Sequence, residues 1–91
     1  MYTLEITNQY LRDLNLARRR KLDEHKLNQA IRILISGDQL PEQNKNHILT
    51  GGYKGLNECH ISPDWLLIYS KNKSIKLITL IRTGTHSDLF K

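Results

Sequence analysis

Glu58-Cys59-His60-Ile61-Ser62-Pro63-Asp64-Trp65-Leu66-Leu67-Ile68-Tyr69, followed after the polar turn Lys71-Asn72-Lys73-Ser74 by Ile75-Lys76-Leu77-Ile78-Thr79-Leu80-Ile81-Arg82, decides the fold. Short apolar runs bounded by turn residues read as strands, here over about 56–62, 65–70 and 75–82. Both alternating faces of the last run are largely apolar, the pattern of a strand covered on both sides. Pro63 lacks the N–H that a regular ladder needs, so Ser62-Pro63 predicts a turn between the first two strands.

Upstream, the periodicity changes from two residues to three or four. Residues 2–6 alternate as a short strand, with Tyr2, Leu4 and Ile6 against Thr3 and Glu5. Asn8 is the expected cap of a helix running to about Lys21, with Tyr10, Leu11, Leu14 and Ala17 on its apolar face. Asp23 caps a second helix, in which Leu27, Ala30, Ile31 and Leu34 recur at helical spacing until Gly37 stops it. A short basic turn joins the two into an αα-hairpin. Residues 38–55, with Pro41, a polar series and the Gly51-Gly52 pair, read as loop, and 86–91 as a short tail. Helices first and antiparallel strands after them make an α+β domain.

The 91 residues leave room for one domain, 1–91, and 38% hydrophobic with 25% charged residues suits a folded chain. No apolar run approaches the ~18 residues of a membrane span, and the first residues lack the pattern of a signal peptide, so a cytoplasmic location is expected. A single cysteine, Cys59, permits neither an internal disulfide nor a CxxC zinc site. The net charge of +5 includes one dense run, Arg18-Arg19-Arg20-Lys21. Such a run serves nucleic acid or an acidic protein partner, or is a solvated helix end.

Chemistry concentrates in the second half. His47, His60 and His86 all lie outside the two helices, and an imidazole with its ordinary pKa near 6.5 exchanges protons at neutral pH. His60 shares a strand face with Glu58, and Cys59 points the other way, into the core. The turn at Pro63 brings Asp64 near the end of the strand that carries His60. Arg82 ends the last strand and His86 follows shortly, so these groups can meet at the ends of adjacent strands. Trp65 reads first as a core aromatic. No pair of histidines has the close spacing of common zinc sites, and phosphate-loop, dinucleotide and nucleophile-elbow patterns are absent. No metal and no cofactor are expected.

Three motifs carry a resemblance. His47-Ile48-Leu49-Thr50-Gly51-Gly52-Tyr53-Lys54-Gly55, the Glu58–Tyr69 stretch, and Arg82-Thr83-Gly84-Thr85-His86-Ser87-Asp88-Leu89-Phe90 resemble the YafQ branch of the RelE-like toxins, within the RelE/ParE superfamily. The resemblance covers nearly the whole chain and is weakest over the helices. It implies a RelE-like fold, with an N-terminal strand and a two-helix hairpin packed on a small, mainly antiparallel sheet. It also implies a type II toxin–antitoxin toxin that cleaves mRNA in the ribosomal A site. A cognate RelB/DinJ-like antitoxin would inhibit it, and operator DNA would be reached through that antitoxin. Two positions depart from the family pattern: Asn57 where Arg is usual, and Tyr53 where Trp is common.

Carried onto this chain, the resemblance places His47, His60, Asp64 and His86 in catalysis and Arg82, Trp65, Phe90 and Lys54 at the substrate. Metal-independent cleavage by the ribose 2′-oxygen needs a base, an acid and a cation for the phosphate. The expected assignment is His86 as acid and Asp64 as base, with His47 and His60 orienting or neutralising; alternatively Asp64 orients a histidine. Arg18, Arg19, Arg20 and Lys21 are expected to dock the ribosome or the antitoxin. The competing reading is a non-catalytic binding module or co-repressor of the same fold.

Overall fold

The computed structural model describes residues 1–90. β1 (Thr3–Ile6) leads into α1 (Asn8–Arg19) and α2 (Glu24–Ser36). A single 3₁₀ turn, Glu42–Asn44, precedes β2 (His47–Ile48), and a second, Gly51–Tyr53, precedes β3 (Asn57–Ser62). β4 (Trp65–Asn72), β5 (Leu77–Gly84) and the one-turn α3 (His86–Leu89) complete the described chain. The five strands form one sheet in the order β1-β5-β4-β3-β2, antiparallel except for β1, which runs parallel to β5. The expected α+β architecture is therefore present, with elements that differ in four places.

First, Thr7 rather than Asn8 caps α1: its hydroxyl accepts the Tyr10 N–H at 3.0 Å, and the helix ends at Arg19. Second, the buried stripe of α1 runs through Tyr10, Asp13 and Ala17, while Leu11 is exposed. The i, i+3, i+7 geometry thus places a carboxylate where an apolar residue was expected. Third, β5 starts at Leu77, because β4 continues to Asn72 and Lys76 turns the chain with φ 54°. Fourth, β2 and α3 occupy what read as loop and tail. α2 matches its reading: the Asp23 side chain accepts the His25 N–H, and Gly37 closes the helix at φ 87°, a left-handed conformation that costs a glycine little.

The two faces of the sheet are covered unequally. The larger core packs Tyr10, Ala17, Leu27, Ala30 and Leu34 of the helices onto Cys59, Trp65, Leu67, Tyr69, Ile78 and Leu80. On the other face Leu66, Ile68 and Leu89 form a small core with Leu49, Tyr53, Leu56 and Ile81. Strand alternation fixes which residues go where, so Cys59 and Leu67 face the helices while Glu58, His60 and Leu66 face the small core. Burial pushes the Cys59 thiol up to about 12, which leaves it a small inert core residue. No helix among the described residues is long and apolar enough to cross a membrane.

Candidate active site

The sheet register sets out the site. His47 pairs with Glu58, Glu58 with Ile68, and Ile68 with Arg82, one row across four strands on the face opposite the helices. His60, Leu66 and Gly84 form the next row. A bulge puts Ile81 between the paired residues Leu80 and Arg82, so Arg82 reaches the same face as Ile81 instead of turning into the main core. β-sheet registry thereby gathers residues that are up to 35 positions apart in the row His47–Arg82.

Glu58 is the buried hub. It is 4% exposed, and its Oε1 lies 3.3 Å from His47 Nε2 and 3.6 Å from His60 Nε2. The other ring nitrogen of His47, Nδ1, lies 2.7 Å from the Lys45 carbonyl, which fixes the orientation of the ring. His47 and His60 have ring centroids 6.5 Å apart, and His60 and His86 5.8 Å. Beyond His86 stands Phe90, whose ring is 6.4 Å away and meets Tyr53 edge-on at 5.5 Å. Three imidazoles and two aromatic rings thus follow one another across an open surface.

Asp64 sits in the turn after β3 and grips the start of α3. Its Oδ1 accepts the backbone N–H of His86 at 3.0 Å and lies 2.6 Å from the ring Nδ1. Those two contacts, the backbone one foremost, hold the Asp64 carboxyl below the usual carboxylate range. With Nδ1–H given to Asp64, the Nε2 of His86 is left to face outward.

Arg82 is half-buried and bound twice by Asp13 of α1, Nε to Oδ2 at 2.9 Å and Nη2 to Oδ1 at 3.0 Å. The same Asp13 accepts the Thr83 N–H at 3.1 Å. This carboxylate holds the guanidinium proton more firmly than usual, with Tyr53 a lesser partner. Lys54 is exposed in the turn that closes over the small core.

One expectation needs correction. Trp65 is 3% exposed and its indole N–H donates to Thr83 Oγ1 at 2.9 Å, so it is a core residue with no face to offer a base. Its alternation places it on the helix side, whereas the histidines lie on the other. The basic run expected to dock a partner is partly engaged within the chain. Arg18 makes a two-pronged pair with Glu24 at 2.8 and 2.9 Å, and Arg20 reaches Asp88 at 2.7 Å, leaving Arg19 and Lys21 as its solvated members. Asp13 and Glu58 join the site only in the folded chain, and each leaves one signal in the sequence: a carboxylate on the apolar stripe of α1 and one sharing a strand face with His60.

The described residues contain no group of three or more His, Cys, Asp or Glu side chains arranged to hold a metal ion. Over residues 2–91 the sequence matches the family described as the bacterial toxin of the type II toxin–antitoxin system, YafQ. The chain belongs to the YafQ toxin family. The mRNA interferase toxin YafQ of Escherichia coli K12 is 41% identical over 88 residues, covering 96% of this chain and 94% of that one. A crystal structure of YafQ from E. coli BL21(DE3) superposes with a TM-score of 0.93 at 36% identity, with each chain fully covered. YafQ in the crystal structure of the E. coli DinJ–YafQ complex gives 0.91 at 37% identity, again over both whole chains. The RelE-like fold expected from the three motifs is thereby established, and with it a YafQ-type toxin scaffold around the histidine array.

Proposed function

We propose that this chain is a ribosome-dependent mRNA endoribonuclease, the toxin of a type II pair, that cuts through the ribose 2′-oxygen without a metal ion. The observation that carries the reading is the contiguous row of His47, His60 and His86 with Glu58 and Asp64 behind them. Two proton-exchanging rings 5.8 Å apart can serve opposite sides of one phosphate, one near the attacking oxygen and one near the leaving oxygen.

In this mechanism His86 donates the proton to the departing 5′-oxygen from its outward Nε2, held in that tautomer by Asp64. The Asp64 carboxylate orients rather than abstracts, since its bonded oxygen already serves two N–H groups of His86. His60, backed by Glu58, takes the 2′-proton. His47, beside Glu58, orients the site, and Arg82 adds positive charge through the guanidinium edge that Asp13 leaves unused. Phe90, 42% exposed, offers the stacking face that Trp65 does not, and Lys54 flanks the strand. The partners are mRNA on the 70S ribosome and a RelB/DinJ-like antitoxin, through which the pair contacts operator DNA. Its place of action is the cytoplasm, where translation occurs.

The test is cleavage of a defined mRNA on programmed ribosomes, with the ends of the products identified. A 2′,3′-cyclic phosphate on the upstream fragment, and protection by a single 2′-deoxy substitution at the cut, are expected. Arrested translation with intact mRNA would instead identify a non-catalytic binding protein. A 3′-hydroxyl upstream end would refute the 2′-oxygen route.

A further inference from the structure

The start of α3 is held at two points. At its first residue, Asp64 binds the amide and the ring of His86. At its cap lies a second carboxylate, Asp88, two residues further along α3. Asp88 Oδ2 accepts the Thr85 N–H at 3.0 Å while its own N–H donates to Thr85 Oγ1 at 3.2 Å, a reciprocal capping box around the start of the helix. The carboxylate also receives two bonds from Arg20, Nη1 to Oδ2 at 2.7 Å and Nη2 to Oδ1 at 3.3 Å. Arg20 is the C-cap residue of α1, an element that is packed on the sheet through its own buried stripe.

This arrangement matters because α3 has only four residues. A single helical turn does not persist on its own in water, so what holds it must come from outside. Leu89 contributes its burial in the small core, Asp64 fixes the first residue, and the Arg20–Asp88 pair fixes the cap. Space has been kept for that carboxylate. A Cβ on Gly84 would lie 2.9 Å from Asp88 Oδ2 and 3.0 Å from Asp88 Cβ, too close for either to stay.

We propose that Arg20 is a positioning residue for the active site: through Asp88 it clamps α3 to the end of α1 and so fixes the ring of His86 against Asp64. The basic run is accordingly divided in its work. Arg18, bound to Glu24 within the helical hairpin, has no such connection. Arg20 ties the helical layer to the segment that carries His86 and Phe90. The catalytic consequence rests on His86 being the proton donor, whereas the clamp itself can be measured without any reaction.

The test uses the purified chain with R20Q, R20K and D88N. Asp88→Asn keeps an oxygen for the Thr85 N–H and loses the charge that Arg20 binds. Amide exchange by NMR is read at Thr85 and His86 against Leu66–Tyr69 as internal reference. The expected result is exchange about three- to tenfold faster at Thr85 and His86 in R20Q and D88N, with the reference amides unchanged. The R20Q/D88N double variant should be no worse than either single one, and R20K should recover most of the protection. Under single-turnover conditions, the maximal rate of mRNA cleavage should fall about three- to tenfold in R20Q, with half-saturation moved no more than in R18Q. R18Q measures what loss of one charge from the same run does, and that loss acts on half-saturation. Unaltered exchange at His86 in R20Q, or a fall in maximal rate matched by R18Q, would overturn the proposal. If the wild-type chain leaves mRNA intact, the nuclease reading fails, while the exchange data still decide the clamp.

Discussion

Replacing Asp13 probes the joint between the helical layer and the site. Its carboxylate, 9% exposed, accepts from Arg82 twice, from the Thr83 N–H, and from the Gln9 amide at 3.1 Å. Asp13→Ala removes all four acceptor contacts, leaving a partly buried guanidinium with only its lesser partner Tyr53 and a buried N–H with no side-chain acceptor. Breaking one side of a fully buried pair costs about 3–5 kcal/mol. Arg82 retains 25% side-chain exposure and can recover some hydration, so the lower end, about 3 kcal/mol, is expected. Against a total of roughly 5–14 kcal/mol for a chain of this length, that is a large fraction.

The decisive measurement is a double-mutant cycle in urea, followed by the fluorescence of Trp65, the sole tryptophan and a core residue. Arg82→Met keeps an apolar stem while removing the charge. The double variant D13A/R82M should be less destabilised than the sum of the singles by about 1.5–3 kcal/mol, because each single change strands the other partner. Additivity to within about 0.5 kcal/mol would refute the claim that Asp13 exists to hold Arg82. Asp13→Asn, which keeps an acceptor for Thr83, should lie between wild type and Asp13→Ala.

Trp65→Phe should cost about 1 kcal/mol through the lost bond to Thr83 while leaving RNA affinity unchanged; weaker binding at equal stability would restore the stacking role. Phe90→Ala should instead weaken the interaction with mRNA by about 1–3 kcal/mol in a titration, with the urea midpoint little moved. The carboxyls of Asp64 and Asp88 are both held below the ordinary range, by His86 and by Arg20 respectively. Their stabilising contribution is therefore complete above the unfolded carboxylate value near 3.9 and is lost as pH falls through the lower folded values. Urea midpoints from pH 6 to pH 2 should fall below about pH 4, less steeply for D88N; parallel profiles would contradict the assignment. Neutralising Arg18, Arg19, Arg20 and Lys21 to Gln should weaken ribosome association and flatten its salt dependence, and equal affinities across the salt series would make the run a solvated helix end.

Most of the fold was legible because each long element carries its own periodicity. α2 has both a capping aspartate and a terminal glycine in the sequence, and both act as such. The central strands are apolar enough that only burial on two faces accounts for them. β2 was not legible, since two residues cannot display an alternation. Its omission hid the meaning of Glu58: the shared face with His60 was visible, but the bridge to His47 exists only once β2 pairs with β3. α3 reads as tail in the sequence, although Thr85 and Asp88 in Thr85-His86-Ser87-Asp88 have the spacing of a capping box, a signal strong enough to predict a helix start even in a short tail.

Site residues hide from pattern reading where a polar group occupies an apolar position. Hydrophobic periodicity sorts positions by whether they are apolar, so a carboxylate on a buried stripe is treated as noise. Asp13 lies three residues after Tyr10 and four before Ala17, both buried, and a carboxylate so placed requires a cation or a backbone donor to offset its desolvation. Among the strand ends, Arg82 is the cation that meets it. Conversely, the motif places Trp65 at the substrate, whereas its position, one residue from Leu66 and two from Leu67, puts it on the helix side of the sheet. Face assignment decides such conflicts: a side chain that alternation sends into the main core cannot reach a strand of RNA laid along the opposite face, whatever motif surrounds it.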